Sequence, residues 1–194
     1  MSSQSSVSKI YLFLYNTLSS LLWLRILLTV LASFLYPTSN SDFNLAESIY
    51  TALEPQVRWT QTIAIIEILH AATGLTRSPV FTTFTQIFAR SVQVWAINYA
   101  YPDVTASSVA YPAMLFAWAS ADTVRYFYFA VLGTSLTVPG SLRWLRYSLF
   151  IVLYPIGIAS EWWLMYRAVG VTSIWAVAGI FYFFLGLYAP GKVL

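Results

Sequence analysis

Residues Ile10 to Tyr36 read IYLFLYNTLSSLLWLRILLTVLASFLY, an apolar run whose single charge is Arg25. About 20 apolar residues in a helix suffice to cross a hydrocarbon core of about 30 Å. This stretch therefore predicts a membrane helix. Working outward along the chain, five more stretches have the same character: Trp59 to Leu75, Val80 to Tyr99, Val109 to Leu132, Leu142 to Tyr166 and Val171 to Tyr188. They are expected to be helical, because a helix satisfies its own backbone in lipid and the alternating ten-residue segments of a lipid-facing barrel are missing. The expected fold is an all-α integral membrane protein, a bundle of six transmembrane helices.

Composition agrees. Of 194 residues, 59% are hydrophobic and only 9% charged, against about a quarter charged in an ordinary soluble domain. The absence of Cys excludes disulfide frameworks, thiolate zinc sites, thiol nucleophiles and a Cys-dependent phosphatase loop. A single histidine, His70, excludes the multi-histidine clusters of membrane di-iron oxygenases. A net charge of +3, scattered along the chain, gives no footprint for nucleic acid.

Residues 1–8 form a polar, Ser-rich tail, and residues 9–194 a single six-helix membrane domain. The first run exceeds a signal h-region and has no convincing small-residue cleavage site, so it is expected to stay in the mature chain. The longest connection, Pro37 to Arg58, is mildly amphipathic and suits a short interfacial helix. Thr76, Arg77, Ser78 and Pro79 alone separate the second and third runs, which predicts a tight helical hairpin with Pro79 opening the later helix. Counted on alternate sides, Lys9, Arg77, Arg143 and Lys192 share one face of the membrane. Arg58 and Arg167 share the other with Asp42, Glu47, Glu54 and Asp103. The positive-inside rule then puts both termini in the cytosol.

Ionisable side chains inside membrane spans are costly and mark functional candidates. Here they are Arg25, Glu67, His70, Arg90, Asp122, Arg125, Arg146 and Glu161. Asp122 and Arg125 stand at i,i+3, as do Glu67 and His70, so each pair suits mutual neutralisation and structural hydrogen bonding between helices. Arg25 suits snorkelling or an acid partner elsewhere.

The fifth run contains RYSLFIVLYPIGIASE over residues 146–161. Tyr147, Tyr154 and Glu161 recur every seven residues and share one helical stripe, because seven steps of about 100° miss two turns by only about 20°. Gly157 lies between Tyr154 and Glu161 on that stripe. The pattern suggests a hollow with a phenol at one end and a carboxyl at the other. Pro155 removes a backbone donor and is expected to bend the helix. On chemistry alone, a kinked helix whose Tyr and Glu bond to neighbouring helices fits equally well.

The same residues resemble the very-long-chain (3R)-3-hydroxyacyl-CoA dehydratases of the endoplasmic reticulum, also called protein-tyrosine-phosphatase-like membrane proteins. The resemblance covers nearly the whole chain. It is carried by Tyr11 to Trp23, by Ile66-Glu67-Ile68-Leu69-His70-Ala71 with Gly74, Leu75, Arg77 and Ser78, and by Gln86, Arg90 and Trp95. Ala117-Trp118, Arg125-Tyr126 and Tyr128 follow. The most specific part is Arg146-Tyr147, Leu153-Tyr154-Pro155-Ile156-Gly157 and Ser160-Glu161. Asp122, where the family has Glu, and Arg25, in a span normally less charged, are departures that do not touch the Tyr/Glu pair.

The resemblance implies that Tyr154 and Glu161 are the catalytic pair and that a long- or very-long-chain (3R)-3-hydroxyacyl-CoA loses water to give a trans-2-enoyl-CoA in fatty-acid elongation. One group removes a proton from C2 and another protonates the departing hydroxyl. A partly desolvated carboxyl suits the base and a phenol the donor, which favours Glu161 as base and Tyr154 as acid, with the opposite assignment open. Gly157, Arg146, Arg77 and Arg143 are the candidate substrate contacts, the arginines for the nucleotide at the cytosolic mouth. No metal or other cofactor is implied. The implied partners are the acyl-CoA, the lipid bilayer and other enzymes of the elongation cycle, and the implied location is the endoplasmic reticulum membrane. A catalytically silent scaffold and a small proton-coupled carrier are the alternative readings. A protein phosphatase fails for want of Cys.

Overall fold

The structure is a computed structural model that describes residues 6–36, 45–134 and 137–187. Buried Trp23, Ile26 and Val30 recur every three to four residues along helix α1 (Ser6–Leu35), the spacing of one helical face. Its other face exposes Leu14, Leu18, Leu21, Leu28 and Phe34. A helix apolar on both faces needs apolar surroundings on both.

The remaining helices are α2 (Leu45–Ile63), α3 (Ile66–Ala72), α4 (Val80–Val92), α5 (Pro102–Ala106), α6 (Ala110–Leu132), α7 (Gly140–Val171) and α8 (Trp175–Leu187). Among the described residues there is no strand. A π-helical stretch, Gln93–Tyr99, continues α4, so the third expected run is one uninterrupted rod. Helix α6 is the hub. Its buried Tyr111, Met114, Leu115, Trp118 and Ala119 face α1 on one side and α7 on the other. Ser20 on α1 donates to the Thr123 carbonyl on α6 at 3.1 Å, and Gln56 on α2 donates to the Leu22 carbonyl at 3.2 Å. Such side-chain-to-backbone bonds tie helices together where no hydrophobic difference between lipid and protein can do so.

Several expected boundaries change. Helix α1 already begins at Ser6, within the expected tail, whereas residues 1–5 lie outside the described residues, as do Tyr188 and Lys192. The second run is not one helix. Residues 37–44 of the expected interfacial segment lie outside the described residues; helix α2 starts at Leu45, takes in its remainder up to Arg58, and breaks at Ala64 and Ile65, where i→i+3 bonds from Ala64 to Gln61 and from Ile65 to Thr62 tighten the chain. Helix α3 then ends on Gly74, whose φ of 71° is the left-handed conformation that closes a helix and that a Cβ would strain. The fifth helix runs on to Val171, so Arg167 is helical and not part of a connection. Two described helices, α1 and α7, are both long and apolar enough to cross a membrane; α8 is apolar but shorter.

Candidate functional site

Along α7 the heptad-spaced stripe moves from outside to inside. Tyr147 is 65% exposed, Tyr154 38% and Glu161 7%. The stripe drifts by about 20° per seven residues, and its last member meets α6 at Trp118. The phenol ring of Tyr154 lies beside Phe150, with centroids 4.5 Å apart. Glu161 is about 10 Å further along the axis, at 1.5 Å per residue. There the Trp118 indole N–H donates to its Oε1 at 2.7 Å. A buried carboxylate needs such a donor, because burial without one leaves it neither hydrated nor bonded.

Gly157 is buried between these two side chains, and α6 lies close above it. A Cβ there would stand 3.7 Å from the Ala117 Cβ, 3.8 Å from the Trp118 Cδ1 and 3.9 Å from the Glu161 Oε1. At these distances a methyl group would fit, whereas a larger side chain would meet Ala117 and the indole that bonds the carboxylate. Arg146 folds over the rings of Tyr128 and Phe129 on α6, at 4.3 Å and 4.5 Å from their centroids. Cation–π contacts of this kind hold a guanidinium at an apolar surface. Arg77 and Arg143 are exposed, in the α3–α4 connection and the first turn of α7.

Behind Trp118 a network of charges links four helices. Arg90 lies 3.9 Å above the Trp118 ring and 5.3 Å from that of Trp23, and its Nη1 pairs with Asp122 at 2.6 Å. Asp122 also pairs with the Arg125 Nε at 3.0 Å, the i,i+3 relation read from sequence. Arg125 reaches across to Glu67 at 3.1 Å, and Tyr126 and Tyr15 donate to the same carboxylate. His70 does not neutralise Glu67 in an ion pair of its own; its Nε2 instead bonds the Tyr11 hydroxyl at 2.8 Å. The network therefore runs Glu67, Arg125, Asp122, Arg90, Trp118, Glu161. Outside it, Glu54 pairs with Arg58 at 2.8 Å. Burial raises the Glu54 carboxyl above its ordinary range, while Arg58 pulls it back.

Reading the sequence missed the roles of Trp118 and Arg90. A buried carboxylate predicts some N–H donor nearby, but which helix supplies it depends on the packing of α6 against α7. It left Arg25 with two options. The structure places it exposed on the outward face of α1, with no acid partner among the described residues.

The fold and site together define an all-helical protein with helices of membrane-crossing length and a buried, indole-bonded carboxylate at its α6–α7 contact. The chain belongs to the family described as protein tyrosine phosphatase-like protein, PTPLA, which matches residues 61–191. It is 32% identical over 190 residues to a protein of Schizosaccharomyces pombe named probable very-long-chain (3R)-3-hydroxyacyl-CoA dehydratase, a match covering 96% of this chain and 88% of that one. It is 36% identical over 164 residues to very-long-chain (3R)-3-hydroxyacyl-CoA dehydratase PASTICCINO 2 of Arabidopsis thaliana, covering 84% and 71%. To very-long-chain (3R)-3-hydroxyacyl-CoA dehydratase 2 of Homo sapiens it is 33% identical over 162 residues, covering 81% and 59%. No solved structure matches the chain.

Proposed function

We propose that this chain is a hydro-lyase of the membrane that converts a long- or very-long-chain (3R)-3-hydroxyacyl-CoA into the trans-2-enoyl-CoA. The supporting observation is that Glu161, on the same α7 stripe as Tyr154, is buried and held by the Trp118 N–H in a chain whose relatives carry that enzyme name over most of its length. Glu161 takes the proton from C2. Electrons of that bond form the C2–C3 double bond as the C3–O bond breaks, and the Tyr154 hydroxyl protonates the leaving oxygen to give water. Proton return from Glu161 to the phenolate, directly or through solvent, resets the pair.

The half-exposed position of Tyr154 and the enclosed position of Glu161 suit a substrate entering from the bundle surface. Six crossings with both termini cytosolic place the start of α7 at the cytosolic rim. Tyr154 then lies about 20 Å along the helix from Gly140, a depth that a pantetheine arm can reach and that phosphates avoid. The nucleotide stays near Arg77, Arg143 and Arg146, while Gly157, with no side chain, forms the floor under the thioester between Tyr154 and Glu161. The bilayer in question is that of the endoplasmic reticulum, where the other elongation enzymes would be partners. The carrier alternative loses much of its motive, because Glu67 and Asp122 are already paired with arginines.

The test is turnover of a long-chain 3-hydroxyacyl-CoA by purified protein. Tyr154→Phe and Glu161→Gln are each expected to lower kcat by about 10²- to 10⁴-fold with thermal unfolding unchanged. Wild-type turnover in either folded variant would remove that residue from the chemistry, and an inactive wild-type protein would remove the reaction.

A further inference from the structure

Arg25 is exposed near the middle of the longest apolar run in the first half of the chain. It lies about 15 Å along α1 from Leu35 and about 22 Å from Ile10. Helical side chains lean toward the N-terminus, here the more distant end, so the guanidinium is badly placed to snorkel to either surface. A cation in mid-membrane calls for a counter-charge.

This chain does not provide one among its described residues. Glu54, Glu67 and Asp122 are paired with arginines of their own, and Glu161 takes the Trp118 N–H. Glu47 and Asp103 stand in the first turns of α2 and α5. A second copy thus offers no carboxylate on its outward face at this depth, and a symmetric contact would set Arg25 against Arg25. Around Arg25 a shallow groove is lined by Leu21, Leu28, Thr29, Ala32 and Ser33. Small residues at four-residue spacing let a second helix approach closely, and a polar group inside the contact secures it.

We propose that the outward face of α1 around Arg25 docks a transmembrane helix of a different protein that carries an Asp or Glu at the depth of Arg25. The inference rests on α1 crossing the membrane, and it is independent of the dehydration chemistry.

The full chain, labelled with a fluorescent acceptor, is reconstituted in zwitterionic vesicles with a donor-labelled synthetic leucine–alanine helix bearing one central Glu. Energy transfer is expected to show about tenfold tighter association than with the same helix bearing Leu, the size of one intramembrane polar contact. Arg25→Leu should abolish the difference, and Arg25→Glu should reverse it in favour of a helix with central Arg. Unchanged thermal unfolding is expected for both variants, since Arg25 makes no side-chain bond among the described residues. Equal binding of the Glu and Leu helices to the wild-type chain would overturn the proposal, as would a Glu preference that survives Arg25→Leu. Self-association of the chain that depends on Arg25 would assign the face to a second copy and overturn it too. Release of the protein from vesicles by carbonate would overturn the membrane placement and the docking face together, leaving dehydratase turnover as a separate measurement.

Discussion

Trp118 stands between a carboxylate and a guanidinium. Its indole N–H bonds Glu161, and its ring lies under the Arg90 guanidinium. Trp118→Phe keeps a ring for Arg90 but removes the donor. Loss of one hydrogen bond to a charged group costs about 1.5–3 kcal/mol. If Glu161 must be held at a fixed angle to reach a C2 proton, most of that loss should appear in the transition state. The expected outcome is a fall in kcat of about tenfold or more with KM little changed. Steady-state kinetics of the purified variant check this, and a change confined to KM would make Trp118 a substrate-binding residue instead. The indole was in plain view in the sequence as part of Ala117-Trp118, yet its partner lies 43 residues away, a relation that only helix packing creates.

At the scale of the element, α7 is joined to α6 through Gly157. The distances from an added Cβ, 3.7 Å to 3.9 Å, are ordinary van der Waals contacts. A methyl group therefore fits, and Ala also favours the helix over Gly by about 1 kcal/mol. Gly157→Ala is expected to fold with unchanged or slightly raised thermal stability. Gly157→Leu must push Trp118 away from Glu161 or separate the helices, with an overpacking cost of about 1–3 kcal/mol, and should lose activity as well. Thermal unfolding in detergent, measured beside turnover, distinguishes the two variants. A stable, fully active Leu variant would show that α6 and α7 do not need this close approach. Pro155, two residues earlier, does not end α7, which continues to Val171 as one helix.

For the whole molecule, the proposed topology is testable because the chain has no Cys of its own. Single cysteines introduced at Arg77 and Arg143 should react with an impermeant maleimide from the same side of sealed vesicles, and a cysteine at Asp103 from the opposite side. Reaction of all three from one side would break the six-crossing arrangement. On the same topology, Arg77→Ala and Arg143→Ala should raise KM for acyl-CoA severalfold with kcat nearly constant, because they remove binding common to ground and transition states. The effect should shrink with a pantetheine thioester that lacks the nucleotide. Equal losses with both substrates would exclude a phosphate contact at these arginines.

Hydropathy, with the need of a backbone in lipid to bond within itself, determined that the chain is helical and apolar, and the ends of the apolar runs located the start of α4 at Val80 and the end of α6 at Leu132. The seven-residue recurrence of Tyr147, Tyr154 and Glu161 is likewise a property of one helix, readable from its own residues. The break between α2 and α3 was not readable, since side-chain hydropathy is blind to a local change from i→i+4 to i→i+3 bonding. Nor were the partners of the charges. Sequence spacing identified Asp122 with Arg125, one turn apart on α6, but joined Glu67 to His70, where side chains reaching from α3 to α6 and α1 give Glu67 to Arg125 and His70 to Tyr11. A pair within a helix follows from its pitch. A pair between helices depends on the angle and depth at which they cross, and those are decided when α1, α6 and α7 pack together.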